Sequence, residues 1–409
     1  MYPKGDLVRR HRIVGRLGLA AAIIAAAATS CSTPGSEAEA NAACDTPGIT
    51  ADQVKLGFVF SSTGIGSEAL ASARSGFDAR IGLANANGGV HGREVTYVWR
   101  DDETTGAVNE QATSELVHQE SVFGLVMVTS SNGQSPETLQ KEGVPVVGLA
   151  QPDYGKYSNW FTDLYDPSPV TVARYILARG GTKLAIATTG SSDYVMGFAH
   201  KYGVEFQQAG LPTVEVIPFE ASTDSPSRIA KRIAASGADA LIGFTTLDDF
   251  AQLSAAVKAA DVSLKVSVSL SGYDRSTLSR LGQQLVGVSF PVYFHPFEGG
   301  GEAIDRYHQT MSQYAPETAQ PEQQFAMYAY IYADMFLRGL ELAGECPTRA
   351  GFITALRAVK DFDASGLIEP VDLSTNQMTP LRCNAFVQID PTGAAFKVVQ
   401  PRLCADGTT

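Results

Sequence analysis

The sequence predicts an α/β chain of two lobes, each a parallel sheet flanked by helices, and three observations carry that prediction. From residue 54 onward, apolar runs of strand length alternate with segments of helical spacing. The alternation restarts after Asp166-Pro167. A length of 409 residues exceeds one compact core and suits two lobes of about 100–200 residues each. The composition, 44% apolar and 18% charged, is that of a globular chain. A formal charge of -12 argues against nucleic acid as a partner, because phosphates need a basic footprint.

The chain opens with what reads as an export leader over residues 1–31. Lys4, Arg9, Arg10, Arg12 and Arg16 form a basic region. Leu17 to Ala28 is an apolar run of 12 residues, short of the roughly 20 that a membrane span needs. Ala28-Thr29-Ser30 then precede Cys31, the pattern of a bacterial lipobox whose cysteine takes a lipid. A plain secretory signal with cleavage nearby is the alternative, and Arg9-Arg10 also admits a twin-arginine reading, although the spacing after it fits poorly. Residues 32–48 are small and polar and read as a flexible tether. With Cys31 lipidated, Cys44, Cys346, Cys383 and Cys404 remain. Four cysteines allow three pairings, and disulfides suit a compartment outside the cytoplasm.

The elements follow in order. Val54 to Phe60 is a buried strand. Glu68 to Asn85 is a helix with Leu70, Ala73, Phe77, Ile81 and Ala84 on one face, stopped by Asn87-Gly88-Gly89. Strands are predicted over 94–100, 122–128 and 144–149, with helices over 105–120 and 136–142. This βαβα succession implies a parallel sheet covered on both faces. The second run has helices over 170–179, 196–209, 225–235 and 248–260, and strands over 183–189, 214–218, 240–245 and 265–270. Ser225-Pro226 supplies a cap and first turn. A strand over 286–294, helices over 302–314, 323–343 and 348–359, and a hairpin turning at Asp390-Pro391-Thr392-Gly393 complete the chain.

In open parallel sheets, ligands bind beyond the carboxyl ends of the strands. The segments concerned are 61–67, 129–135, 150–154, 190–195, 245–249 and 271–275. They are rich in Ser, Thr, Gly and Tyr and poor in His, Cys, Lys and Glu, so they offer neutral hydrogen bonds and little acid–base chemistry. Ser62, Thr129 and Ser130 are strand-end hydroxyls expected to face a cleft, and Tyr194 and Tyr273 are candidates to wall it. No GxSxG, HExxH or phosphate-loop motif occurs, and Gly64-Ile65-Gly66 lacks the third glycine of a dinucleotide loop. The six histidines are scattered, with no metal pair among them; His295, at a strand end, is the one that could approach the cleft. Asp101-Asp102-Glu103 could suggest paired carboxylates but reads first as a solvated strand end or helix N-terminal charge. No enzyme activity, cofactor or metal is expected.

These residues carry a specific resemblance. Ser61-Ser62-Thr63-Gly64, Gly76, the run Asn85 to Arg93 (NANGGVHGR) and Asp101-Asp102 resemble the opening of the branched-chain amino acid-binding proteins. Glu142 to Val147, Asp193 to Gly197 and Gln324 to Tyr330 continue the likeness, which covers roughly residues 50–400. Those proteins are type I periplasmic solute-binding proteins of ABC importers. The resemblance implies their two-lobed fold with a three-strand hinge, here 45–165 with 292–370 as lobe 1 and 166–291 with 371–404 as lobe 2. It implies disulfides within lobes, Cys44–Cys346 and Cys383–Cys404, which leave the hinge free.

It also implies a ligand site. Thr129, Ser130 and Ala150 fall where the family grips a carboxylate. Pro152 falls where the family has a Thr, removing a hydroxyl and an N–H. Ser271 stands where the family places an acidic partner for an ammonium group, and Thr245 or Thr246 where it has an aromatic. A hydroxyl cannot neutralise a buried ammonium, so the departure brings a small carboxylic or aromatic compound level with a branched-chain amino acid as ligand. The expected function is capture by hinge closure and delivery to a membrane permease powered by a separate ATPase. The protein would be a monomer, lipid-anchored on the outer face of the membrane. A ligand-sensing receptor of the same fold is the alternative.

Overall fold

The computed structural model describes residues 44–64, 67–150, 154–163, 168–190, 193–374 and 381–409, with backbone alone at 193–195. In chain order the first elements are β1 (Gln53–Phe60), α1 (Ser67–Leu70), α2 (Ala73–Ala86), β2 (Glu94–Asp101), α3 (Gly106–Ser114), β3 (Leu125–Val128), α4 (Ser135–Lys141), β4 (Val146–Gly148) and β5 (Trp160–Phe161). All five strands pair parallel in the order β2-β1-β3-β4-β5. β3 and β4 are buried along their whole length, as both-face coverage by helices requires.

The second run comprises α5 (Pro169–Ala178), β6 (Leu184–Thr189), α6 (Asp193–Gln208), β7 (Thr213–Phe219), α7 (Pro226–Ser236), β8 (Ala240–Phe244), α8 (Leu247–Ala259), β9 (Val266–Ser269), α9 (Arg275–Leu281) and β10 (Val288–Val292). The chain then adds α10 (Glu302–Tyr314), α11 (Gln324–Leu342) and α12 (Arg349–Arg357) before β11 (Cys383–Ile389) and β12 (Phe396–Cys404). The second sheet runs β12-β11-β10-β9-β8-β6-β7. Its parallel part, β7-β6-β8-β9-β10, repeats the order of the first sheet, and the closing hairpin joins antiparallel at β10. Each sheet therefore has a topological switch point, between β1 and β3 in the first and between β6 and β8 in the second.

α10 and α11 return to the first sheet and pack on α2. The contact of α2 with α11 is close enough that a Cβ on Gly76 would lie 1.8 Å from the Ala326 carbonyl oxygen. This is a physical reason for glycine at that place. At the end of α2 the Gly89 N–H donates to the Ala84 carbonyl at 2.9 Å with φ of 69°, and a side chain there would meet the Arg93 carbonyl. α11 is buried on nearly every side, from Ala326 through Leu340, and forms the centre of the larger core.

The structure departs from the sequence reading in three places. The helix expected over 68–85 is interrupted at residues 71–72. The segment expected as a loop over 271–275 feeds α9, whose sequence RSTLSRL buries only Leu278 and Leu281 and so shows little periodicity. β5 has two residues, below the length at which a strand pattern is legible.

Among the described residues no helix is long and apolar enough to cross a membrane. Cys44 pairs with Cys346 and Cys383 with Cys404. The leader, Cys31 and most of the tether lie outside the described residues.

Candidate ligand-binding cleft

Adjacent strands β2, β1 and β3 bring their carboxyl ends together, and with them Asp102, Ser61 and Thr129. Asp102 is fully buried. Its carboxylate accepts from the Ser61 hydroxyl at 2.7 Å, the Asn109 amide at 3.0 Å, the Thr104 N–H at 3.1 Å and the Thr129 hydroxyl. Asp101 faces the other way and holds the 62–64 loop. It accepts from the Ser62 N–H at 3.0 Å, the Thr63 N–H at 3.3 Å and the Thr63 hydroxyl at 2.7 Å. Partial burial opposes its charge, yet these bonds and the Glu103 N–H hold its carboxyl below the usual value. The pair expected as a solvated strand end is thus a scaffold that fixes three loops. Sequence could have revealed it, since polar residues close three strands that the βαβ rule makes neighbours.

Two expected ligand contacts are buried and hydrogen-bonded within the protein. Thr129 is 1% exposed, its hydroxyl donates to Asp102, and its oxygen accepts from the Ser131 N–H at 3.1 Å. Tyr273 is also 1% exposed: its hydroxyl donates to Glu298 and accepts from the Phe297 N–H at 2.9 Å, while its ring packs among Phe294, Phe297 and Phe396. Burial, then the Glu298 charge, pushes this phenol well above its ordinary range. Tyr273 belongs to the core beside a crossover, because the left-handed Gly272 before it turns the chain inward.

Ser62, Ala150 and Ser271 are half-buried and Ser130 is exposed at the strand ends. Thr245 is 8% exposed and its hydroxyl donates to the Thr246 carbonyl at 3.0 Å. The Ser271 carbonyl accepts from Ser269 at 2.8 Å. Thr246 caps α8 by accepting from the Asp249 N–H at 3.2 Å, and its own N–H donates to the Thr189 hydroxyl at 3.1 Å. Glu220, at the end of β7, lies beside Gly190, where a Cβ would stand 2.7 Å from its carboxylate. The side chain of Tyr194 and all of Pro152 lie outside the described residues. His295 is exposed, and its N–H donates to the Leu367 carbonyl at 2.8 Å.

Two acids near the strand ends of the second sheet, Asp248 and Asp274, are engaged elsewhere. Asp248, on α8, pairs with Arg280 of α9, which also reaches Glu68 of α1 and so links the two sheets' helices. Asp274 is buried and accepts from the Gln324 N–H at 2.6 Å, capping α11 from across the molecule. Burial raises its pKa to about 6, with a contribution from the Glu68 charge. The side chain of Asp193 is not described. A groove of about 780 Å³ against α2, Ser276 and residues 317–323 lies away from the strand ends that the switch points mark. Among the described residues no group of His, Cys, Asp and Glu side chains is placed to hold a metal ion.

The strand ends thus offer hydroxyls and main-chain groups on a rigid scaffold, suited to holding a ligand by neutral hydrogen bonds.

Comparison with known proteins agrees with this geometry. No curated protein matches the chain. Among solved structures, a fatty acid ABC transporter substrate-binding protein from Thermomonospora curvata is similar with a TM-score of 0.76 at 18% identity, covering 89% of this chain and 96% of that one. A branched-chain amino acid transporter substrate-binding protein from Streptococcus pneumoniae, in complex with isoleucine, gives 0.71 at 17% identity over 86% of this chain and 100% of that one. An ABC transporter solute-binding protein from R. palustris, in complex with 4-hydroxybenzoate, gives 0.70 at 19% identity over 85% and 96%. The profile of the periplasmic binding protein family matches residues 53–394, most of the chain, and the chain belongs to that family.

Proposed function

We propose that this chain is the extracytoplasmic substrate-binding component of an ABC importer, which closes two lobes on a small carboxylate with an apolar or aromatic body and delivers it to a permease. The observation that carries the reading is the pair of equivalent switch points, one in each sheet, whose strand ends present hydroxyls and main-chain groups. Family membership supports an extracytoplasmic place of work. The proposed lobes are 45–165 with 292–370 and 166–291 with 371–404. Residues 1–31 serve as leader and Cys31 as lipid anchor.

The ligand class rests on two supports. Isoleucine and 4-hydroxybenzoate, named with two of the similar structures, both carry a carboxylate on an apolar body. Ser271 brings no charge to meet an ammonium group, and Asp248 and Asp274 are engaged elsewhere. Ser62, Ser130 and the Ala150 main chain would hold the carboxylate, with Tyr194 covering the body.

A thermal-shift panel of branched-chain amino acids, hydroxybenzoates and fatty acids tests this, because a ligand that binds the folded state raises the melting temperature. The expected result is an upward shift with an aromatic or aliphatic acid that Ser130→Ala reduces. Shifts confined to α-amino acids would overturn the ligand class. No shift with any member, together with turnover of an ester or amide, would overturn the binding function.

A further inference from the structure

We propose that the Cys44–Cys346 bridge is a thiol-exchange site: an external dithiol opens it at Cys346 and leaves Cys44 as a thiolate paired with the buried Arg93 guanidinium, while Cys383–Cys404 stays closed. This inference goes beyond the binding function and does not depend on it.

Arg93 closes the run Asn85 to Arg93. Its main chain pairs with that of Val90 in both directions, at 2.9 and 3.0 Å, across a two-residue turn in which His91 and Gly92 are left-handed, with φ of 49° and 76°. The side chains of both paired residues are buried, and Arg93 is 2% exposed. Its Nε donates to the Thr50 carbonyl at 2.7 Å, and its Nη2 lies 3.6 Å from the Cys44 sulfur. Among the described residues no carboxylate forms an ion pair with it. Removing a guanidinium from water without a counter-charge is costly. A disulfide sulfur is neutral and offsets little of that cost. A Cys44 thiolate would bring a full negative charge to the same place.

The two bridges differ in how they meet the demands of exchange. The attacked sulfur must be reachable, and the departing sulfur must carry negative charge well. In the first bridge Cys346 is exposed, and Cys44 is half-buried beside Arg93. In the second, the more open sulfur is Cys383, and it is this one that has a guanidinium beside it, Arg402 at 3.5 Å. That guanidinium is half-exposed and already paired with Glu369 at 3.4 Å. Attack on Cys383 would expel Cys404, which is 2% exposed, as a buried thiolate. Burial disfavours the charged form and slows its departure.

The exchange at the first bridge runs in two steps. A thiolate of the reductant bonds to Cys346 Sγ, the Cys44–Cys346 bond breaks, and its electron pair goes to Cys44 Sγ. The second thiol of the reductant loses its proton, attacks the reductant sulfur of the mixed disulfide and releases Cys346. The protein bridge gains two electrons and the dithiol is oxidised to a disulfide. Of the dithiol's two protons, one ends on Cys346 and one in solvent.

Graded dithiothreitol on the folded, purified protein, quenched with iodoacetamide and read by peptide mass mapping, tests the order of opening. Cys44–Cys346 should open on the order of tenfold faster than Cys383–Cys404. In the reduced protein, the rate of Cys44 alkylation against pH should turn over below the ordinary thiol value of about 8.5. Arg93→Gln should return that inflection to about 8.5 or above, and Arg93→Lys, which keeps the charge, should hold it lower. Equal rates for the two bridges, earlier opening of Cys383–Cys404, a Cys44–Cys346 bond that resists dithiothreitol until the protein unfolds, or an unmutated Cys44 inflection at or above about 8.5 would each overturn the proposal. All four readings come from the unaltered chain, so they stand even if an Arg93 variant fails to fold. None involves a transported ligand, so failure here stays distinct from failure of the binding function.

Discussion

Replacing Asp274 by Asn should stabilise the protein at neutral pH and remove part of its pH dependence. The carboxyl is buried where the segment after β9 meets the N-terminus of α11. Burial, with a contribution from Glu68, raises its pKa from an ordinary 3.8 to about 6. Nearby Arg275 is directed at Glu322, 2.9 Å away, and Glu298, 3.6 Å away. The folded state therefore holds the Asp274 proton more tightly than the unfolded chain does. Its contribution to stability is fully present below about pH 4 and is lost as pH rises through 6. At 1.36 kcal/mol per pKa unit, the rise corresponds to at most about 3 kcal/mol. Asn keeps an oxygen for the Gln324 N–H and carries no charge. Urea unfolding of both proteins from pH 4 to pH 7.5 should show the variant more stable by up to about 3 kcal/mol at neutral pH, with the gap closing toward pH 4. A difference that stays constant across the series, or a variant less stable at pH 7, would refute the argument.

Three further outcomes are expected. Gly76→Ala places a methyl against the Ala326 carbonyl and should cost about 3 kcal/mol, read as a lowered denaturation midpoint. Asp102→Asn turns an amide donor toward donors from Ser61, Thr129 and Asn109. It should cost about 1–3 kcal/mol and speed hydrogen exchange across 61–64 and 129–132. Arg280→Gln cuts the link between α1 and α8. Being solvent-exposed, that link should change ligand affinity by no more than about fivefold, an effect that calorimetry should find shrinking as salt is added.

The architecture was legible in the sequence because its signals are local. Val54–Phe60 and Leu184–Thr189 are mainly apolar runs, and Asn87-Gly88-Gly89 is a helix stop whose geometry follows from glycine. The site was less legible because its chemistry depends on which strand ends become neighbours. Thr129 carries the hydroxyl that a cleft would use, and only the strand order, which brings Asp102 at the end of β2 within reach across β1, reveals that the carboxylate takes it. Tyr273 looked available because it follows a glycine in a strand-end segment; Phe294, Phe297 and Phe396, which enclose it, come from 21 or more residues downstream.

The Cys44–Cys346 bridge, 302 residues apart in sequence, makes a covalent ring that contains all of β1 to β10. A protease that nicks the first or second crossover therefore severs a peptide bond without releasing a fragment. Such a protein would run at full mass until a reductant is added. A nick in the third crossover, beyond Cys346, would free the C-terminal hairpin, which Cys383–Cys404 ties only to itself. Non-reducing electrophoresis after limited digestion thus reports which passage was cut, and beyond Cys346 the ring leaves α12, β11 and β12 unsecured.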